Sequence, residues 1–259
     1  YAVFGFMAQV AIETGFSALL GIGVYVATIL GGLLALICFY LIVVATLGGI
    51  SPGRFLAAAR PVQLLAFSTN SSVAVMPLTM KTAEEKLGVR PSTAQFVAPI
   101  GATVNMDGTA LFHGAATLFL TQVYGLEVGI GMLVALVATA IGASIGTPAT
   151  PGVGIVILSV VLTSVGVPLE GVALIIGVDR VLELFRTAVN VTGDLTASVV
   201  VDRFVPSTRT YEEEVAAQSQ VEKVAERTGE DVVTRDPADL TEDGQRGIFA
   251  RLRDYVTDW

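Results

Sequence analysis

Asp179, Glu183, Arg186, Asn190 and Asp194 punctuate an otherwise apolar stretch, "VDRVLELFRTAVNVTGDLTASVVVDRF", at offsets of 0, 4, 7, 11 and 15. On a helix turning about 100° per residue they fall on one face within roughly 80°. Carboxylate and amide oxygens can ligate a hard cation. A guanidinium fork matches a carboxylate in bidentate geometry and stays charged in any environment. A second stretch, "APIGATVNMDGTALFHGAATLFL", places Asn105 and Asp107 beside Gly108 in the middle of another apolar run. The chemistry these residues offer is the binding of cations and of an anionic group.

The surrounding composition says where that chemistry happens. The chain has 259 residues, 53% of them hydrophobic, and a mean hydropathy of +0.72, which reads as an integral membrane protein rather than a soluble domain. Residues 16–50 carry no charge, and that run exceeds the ~20 residues that cross a bilayer. Residues 1–14 are too short to span and are expected to be the end of a truncated helix. Cys38 stands alone and reads as a small buried hydrophobe, so no disulfide framework or thiolate metal site is expected. The net charge of −8 is uneven: from Phe204 onward there are 13 acidic and 7 basic residues. Residues 204–259 therefore read as a solvated acidic tail on the cytoplasmic side.

Loop charges orient the chain. Segments 51–60 and 81–90 hold Arg54, Arg60, Lys81, Lys86 and Arg90, whereas the loops at 125–131 and 166–171 hold Glu127 and Glu170 and no base. Positive loops stay inside, so the first two are expected to be cytoplasmic and the latter two external. Only "PVQLLAFSTNSSVAVMPLTM" separates the first pair, and twenty residues cannot cross twice. The segment must enter and return, with "STNSS" at its tip. Residues 130–167 show the same pattern from the other face around "GASIGTPATPGVG", too rich in Gly and Pro for one helix; ordinary spans with kinks stay open for this second segment. Irregular backbone at membrane depth is tolerated only where protein or a polar cavity surrounds it. Paired interruptions in corresponding halves point to a transporter site.

A charge at the bilayer centre costs ~3 kcal/mol even on insertion scales, so the polar stripe must face ions, ligand or itself. Internal ion pairs such as Glu183 with Arg180 or Arg186 satisfy part of it. Asp107 and Asp194 have no base nearby in sequence, and each lies near an Asn; sodium fits one carboxylate, an Asn and unwound backbone carbonyls. Arg186 is then the partner of an anionic substrate group, aided by helix N-termini at the hairpin tips.

"STNSS", "GATVNMDGTAL", "SIGTPATPGVG" and "DRVLELFRTAVNVTGD", in that order, make the chain resemble the dicarboxylate/amino acid:cation symporters up to about Arg203. The resemblance implies an all-α integral membrane protein with a glutamate-transporter-like transport domain of the elevator type, carrying two oppositely oriented re-entrant hairpins. It implies residues 15–203 as that domain: span 16–50, hairpin 51–89, span 91–125, hairpin 130–167 and span 169–203, with residues 1–14 ending a scaffold helix. It also implies a multi-pass plasma-membrane protein, a homotrimer when complete, with no catalytic residue, no cofactor beyond sodium as the coupling ion, and no nucleic-acid partner. The substrate would be a small acidic amino acid such as aspartate or glutamate, with a C4-dicarboxylate as the alternative.

By the same resemblance, Ser71, Ser72, Thr109, the backbone of 150–154 including Thr150 and Gly154, Thr187 and Asn190 contact substrate. Arg186 holds its side-chain carboxylate, and Glu183 reads its ammonium where relatives usually have Asp. Sodium ligands come from Gly101, Asn105, Asn190 and Asp194 at one site, and from Thr103, Met106, Ser144, Ile145 and Thr147 at a second; Asp107 with Asn105 marks a third. Asn70 replaces an Arg of the archaeal relatives and Leu184 does not restore it, while Pro148 and Thr150 alter the second tip. His113, the sole histidine, stands where animal relatives carry a proton-bearing Glu. Its intrinsic pKa near ~6.5 suits titration during transport; a neutral His hydrogen-bonded inside the bundle is the other reading. An intramembrane aspartyl protease fits poorly, because Val191 breaks the GxGD pattern and Met106 replaces the Tyr expected before Asp107. A channel using the same carboxylates would be told apart by stoichiometric, sodium-dependent uptake.

Overall fold

Helix ends along this chain fall where Gly, Pro, Asn and Ser punctuate its apolar runs. A computed structural model describes residues 16–145, 150–206, 211–216 and 219, and the described residues are helical with no strand. Helix α1 spans Phe16–Val43 and passes into a π-helical turn, Val44–Gly48, closed by Gly49 at φ 70°. That glycine conformation is one an L side chain resists. Among the described residues this is the one helix both long and apolar enough to cross a bilayer. Its outward face carries Val24, Leu34, Phe39 and Ile42.

Helices α2, Pro52–Thr69, and α3, Ser72–Leu87, form an antiparallel hairpin. The turn is made by Asn70 in the left-handed region (φ 53°) followed by extended Ser71, whose Oγ accepts from Ala74 N at 3.3 Å and caps α3. The far ends meet where Arg54 Nη2 donates to Lys86 O at 3.2 Å. The tip falls within the expected "STNSS".

The stretch 91–125, expected as one span, is two helices: α4, Pro91–Val104, and α5, Asp107–Val123. At the break, Met106 N donates to Val104 O at 3.0 Å rather than continuing the helical ladder. Helix α6, Ile130–Ile145, and α7, Val153–Ser164, pack together; Gly152, at φ 85°, precedes α7. Residues 146–149 between them, and with them Thr147 and Pro148, lie outside the described residues, as do 1–15 and most of the tail. On α6, Ile130, Val134, Val137 and Ile141 form an exposed apolar stripe at helical spacing. Cys38 is exposed on α1 rather than buried.

A single 3-10 turn, Leu169–Gly171, leads into α8, Val172–Phe204, 33 residues long. Helix α8 serves two apolar clusters. One joins Tyr25, Ile29, Phe112, Leu120, Leu158 and Leu162 to its Ile175, Leu182 and Val189. The other joins Phe55, Val62, Val75 and Ala94 to its Val191, Leu195 and Val199. Asn190 sits at the junction. The polar stripe is therefore held where two cores meet, on a helix braced from both sides. Beyond α8, Tyr211 Oη donates to Glu84 O at 3.2 Å. Residues 212–259 form a separate unit, in which 212–216 are helical.

Candidate functional site

Both tips, the α4–α5 break and mid-α8 converge on one small cavity of about 30 Å³. Asn70 and Ser72 reach it from the first tip, Met106 and Thr109 from the break, and Thr150 and Gly154 from the second tip. Glu183, Arg186, Thr187 and Asn190 come from α8. Eight of the nine residues expected to contact substrate thus share one cavity. Ser71 is not among its lining residues; its hydroxyl caps α3.

Arg186 is 2% exposed. Its guanidinium lies 3.7 Å from the Phe112 ring centroid, a cation–π contact strengthened by desolvation. Nη2 is 3.1 Å from Asp179 Oδ1, whereas Nη1 is buried without a hydrogen-bond partner. Asp179 Oδ1 likewise has no hydrogen-bond partner, so the two charges pair without a hydrogen bond and donor capacity is left over beside the cavity, which a carboxylate of a ligand could satisfy. Gly154 packs beside this group: a Cβ on it would be in ordinary van der Waals contact, 3.5 Å from Arg186 Nη2.

Two further α8 residues tie the hairpin tips to that helix. Glu183 Oε1 accepts from Gly152 N at 2.6 Å, and Oε2 accepts from Arg180 Nη1 at 2.7 Å. One turn on, Thr187 Oγ1 donates toward Asn70 Oδ1 at 2.8 Å, with Glu183 O at 3.0 Å. The expected internal ion pair of Glu183 is present with Arg180; Arg186 pairs instead with Asp179.

Deeper along α8 the groups become acidic with neutral donors. Asp194 is 2% exposed, and its Oδ1 accepts from Asn105 Nδ2 at 2.9 Å. The same amide lies 3.3 Å from Asn190 O. Gly101 packs so closely that a Cβ there would stand 2.6 Å from Asp194 Oδ1, and a Cβ on Gly193 would collide with Asn105 Nδ2. Asn190 bridges the cavity and this cluster: its Oδ1 accepts from Gly108 N at 2.8 Å, and its Nδ2 lies 3.3 Å from both Thr109 Oγ1 and Met106 Sδ. Asp107 Oδ2 accepts from Tyr40 Oη at 2.6 Å.

Gly101, Asn105, Asn190 and Asp194 are therefore adjacent and offer carboxylate, amide and backbone oxygens, a donor set suited to a hard monovalent cation. Among the described residues no group of three or more His, Cys, Asp or Glu is placed to hold a metal ion. Thr103 and Ser144 donate to carbonyls of their own helices, Ile100 O at 3.0 Å and Ile141 O at 2.8 Å. Ile145 is exposed.

His113 is fully buried, with Nε2 3.0 Å from Gly154 O. A carbonyl accepts only, so Nε2 carries the proton. The ring thus bonds to the backbone of the second tip.

Sequence reasoning did not find Asn70 as a lining residue, nor Tyr40, Phe112 and Gly152 as partners. Asn70 carried a signal, since Asn tolerates the left-handed conformation a tight tip requires. Tyr40 and Phe112 sit in apolar runs and reach their partners across 67 and 74 positions, so no local pattern marks them.

A family model described as the sodium:dicarboxylate symporter family matches residues 1–204. The mouse protein named excitatory amino acid transporter 3 is 42% identical over 187 residues, covering 70% of this chain and 35% of that protein. The Bacillus subtilis (strain 168) protein named proton/sodium-glutamate symport protein is 38% identical over 237 residues, covering 88% of this chain and 53% of that protein. A Caenorhabditis elegans excitatory amino acid transporter is 36% identical over 206 residues, 79% of this chain and 41% of that protein. The chain thus spans between about a third and a half of the length of these relatives. With a profile match from its first residue through the end of α8, and with the cavity and the carboxylate cluster built from the motifs that carry the likeness, the chain belongs to the sodium:dicarboxylate symporter family.

Proposed function

We propose that the full-length protein is a secondary active symporter that couples inward sodium movement to uptake of an acidic amino acid, aspartate or glutamate. The observation that carries this reading is the juxtaposition, along one buried face of α8, of a guanidinium with a spare donor at Arg186 and a carboxylate bonded to a neutral amide at Asp194. The first can hold the anionic end of a solute. The second is a buried negative charge that needs a cation to be stable at membrane depth. Binding of each then favours the other, because the Asn190 side chain and the α4–α5 break connect the two places.

The relatives' names, excitatory amino acid transporter and proton/sodium-glutamate symport protein, support this substrate and this coupling. Gly101, Asn105, Asn190 and Asp194 would hold one sodium; Thr103, Met106, Ser144, Ile145 and Thr147 a second; Asp107 and Asn105 part of a third. Ser71, although it caps α3, would contact substrate once the tips part, since a cavity of about 30 Å³ must open to admit an amino acid. Glu183 would read the ammonium, and His113 would carry a coupled proton. The two helix pairs would be re-entrant hairpins of opposite orientation within a transport domain, residues 15–203, that moves as an elevator in a plasma-membrane trimer. The tail, 204–259, would be cytoplasmic.

A C4-dicarboxylate is the second reading, favoured by one contact: Arg180 already neutralises Glu183. Uptake of aspartate, glutamate and succinate into proteoliposomes by the full-length protein, with and without an inward sodium gradient, tests the proposal. Sodium-driven accumulation of an acidic amino acid is expected; equal uptake in both conditions would refute it.

A further inference from the structure

We infer that Arg180 stands in for the ammonium of the substrate at Glu183 and thereby sets the preference between amino acids and plain dicarboxylates. This inference rests on the pocket assignment above and concerns a residue outside the cavity lining.

Both oxygens of Glu183 are engaged, one by Gly152 N at 2.6 Å and one by Arg180 Nη1 at 2.7 Å. The two partners differ in kind. Gly152 is backbone, fixed at φ 85° just before α7. Arg180 is a side chain that is 62% exposed, reaching a carboxylate side chain only 9% exposed. A long guanidinium side chain with that much of its surface outside the fold has room to swing away from its partner and reach a polar region. The carboxylate it leaves behind is buried and would be strained without a cation.

An incoming ammonium supplies that cation. It competes with Arg180 for the same oxygen, Oε2, whereas the Gly152 bond at Oε1 can persist. A solute with two carboxylates and no ammonium has no such replacement to offer. For it the Arg180–Glu183 pair must stay closed, because an unmasked Glu183 would repel it across the pocket from Arg186. Arg180 therefore weakens amino-acid binding by competition and strengthens dicarboxylate binding by screening. Arg186 cannot take this part, being 2% exposed and held between Asp179 and Phe112. Arg180 lies against the tip itself: a Cβ on Gly152 would be 3.6 Å from Arg180 Nη1.

A merely structural i, i+3 ion pair would affect every solute alike, so the two solutes must be compared. The test measures KM for aspartate and for succinate in proteoliposomes of the full-length protein under a sodium gradient, for wild type, Arg180→Gln and Arg180→Lys. In Arg180→Gln, aspartate KM is expected to fall and succinate KM to rise, moving their ratio about tenfold or more, the effect of ~1.4 kcal/mol. Arg180→Lys, which keeps the charge, is expected to hold the wild-type ratio within about twofold, since that ratio follows charge rather than shape. Parallel changes in both KM values, no change, or an Arg180→Lys ratio equal to that of Arg180→Gln would overturn the inference while leaving sodium-driven uptake by wild type intact. Absence of sodium-driven uptake of either acid in wild type would overturn the functional reading and this inference with it.

Discussion

Arg186 shows how much a single side chain decides. Its charge is buried against Asp179 and Phe112, and its Nη1 is buried without a hydrogen-bond partner. Arg186→Ala should abolish uptake of acidic substrates, a loss of about 100-fold or more, because it removes the anion's partner and strands Asp179. Arg186→Lys keeps the charge but loses the fork, and should retain a small part of the activity; full activity in either variant would remove the anchoring role. His113 is tested separately. If it carries a proton, uptake by His113→Gln should lose the pH dependence of wild type, measured as initial rate across pH 5–8; an unchanged profile would leave only its bond to Gly154 O. At this scale the sequence spoke clearly for α8, because charge at helical spacing in an apolar run has few other meanings. It was silent on Tyr40, whose bond to Asp107 depends on two helices meeting.

Elements bring these residues together through close backbone approach, and glycine is what permits it. Helix α4 lies against α8 at Gly101, where a Cβ would stand 2.6 Å from Asp194 Oδ1. Gly101→Ala should therefore displace the carboxylate, raising the sodium concentration for half-maximal uptake about tenfold and lowering stability by ~1–3 kcal/mol. Gly142→Ala, where a Cβ meets nothing within 4 Å on α6, should leave both unchanged or raise stability slightly. Similar sodium dependence in the two variants would dissociate Gly101 from the cation cluster. The hairpin tip at Asn70 was legible, since too few residues separate two positive loops for a double crossing. The break at Asn105 and Met106 was not. No Gly or Pro lies within the break itself, and Asn105 and Met106 leave the helix as the flanking α4 and α5 make their contacts with α8 through Asp194 and Asn190. Residues of the second expected sodium site remain separate in the hydrogen-bond pattern. Thr103 and Ser144 each bond their own helix, and Thr147 lies outside the described residues.

For the whole molecule, two apolar clusters clamp α8 from opposite ends and leave the polar residues at their junction. The outer surfaces of α1 and α6 are apolar along one side, as a bilayer or neighbouring membrane helices require. Membership of the family was legible in four short motifs, while the pairing of Arg186 with Asp179 and the smallness of the cavity needed the fold. Under the proposed function, the charge of the buried carboxylates must be met by sodium before the cavity holds an anionic solute well. Isothermal titration of aspartate into the purified full-length protein, in sodium chloride and in choline chloride at equal ionic strength, tests it most directly. Aspartate affinity should be at least about tenfold higher in sodium, a coupling of ~1.4 kcal/mol or more. Equal affinities in the two salts would contradict the claim.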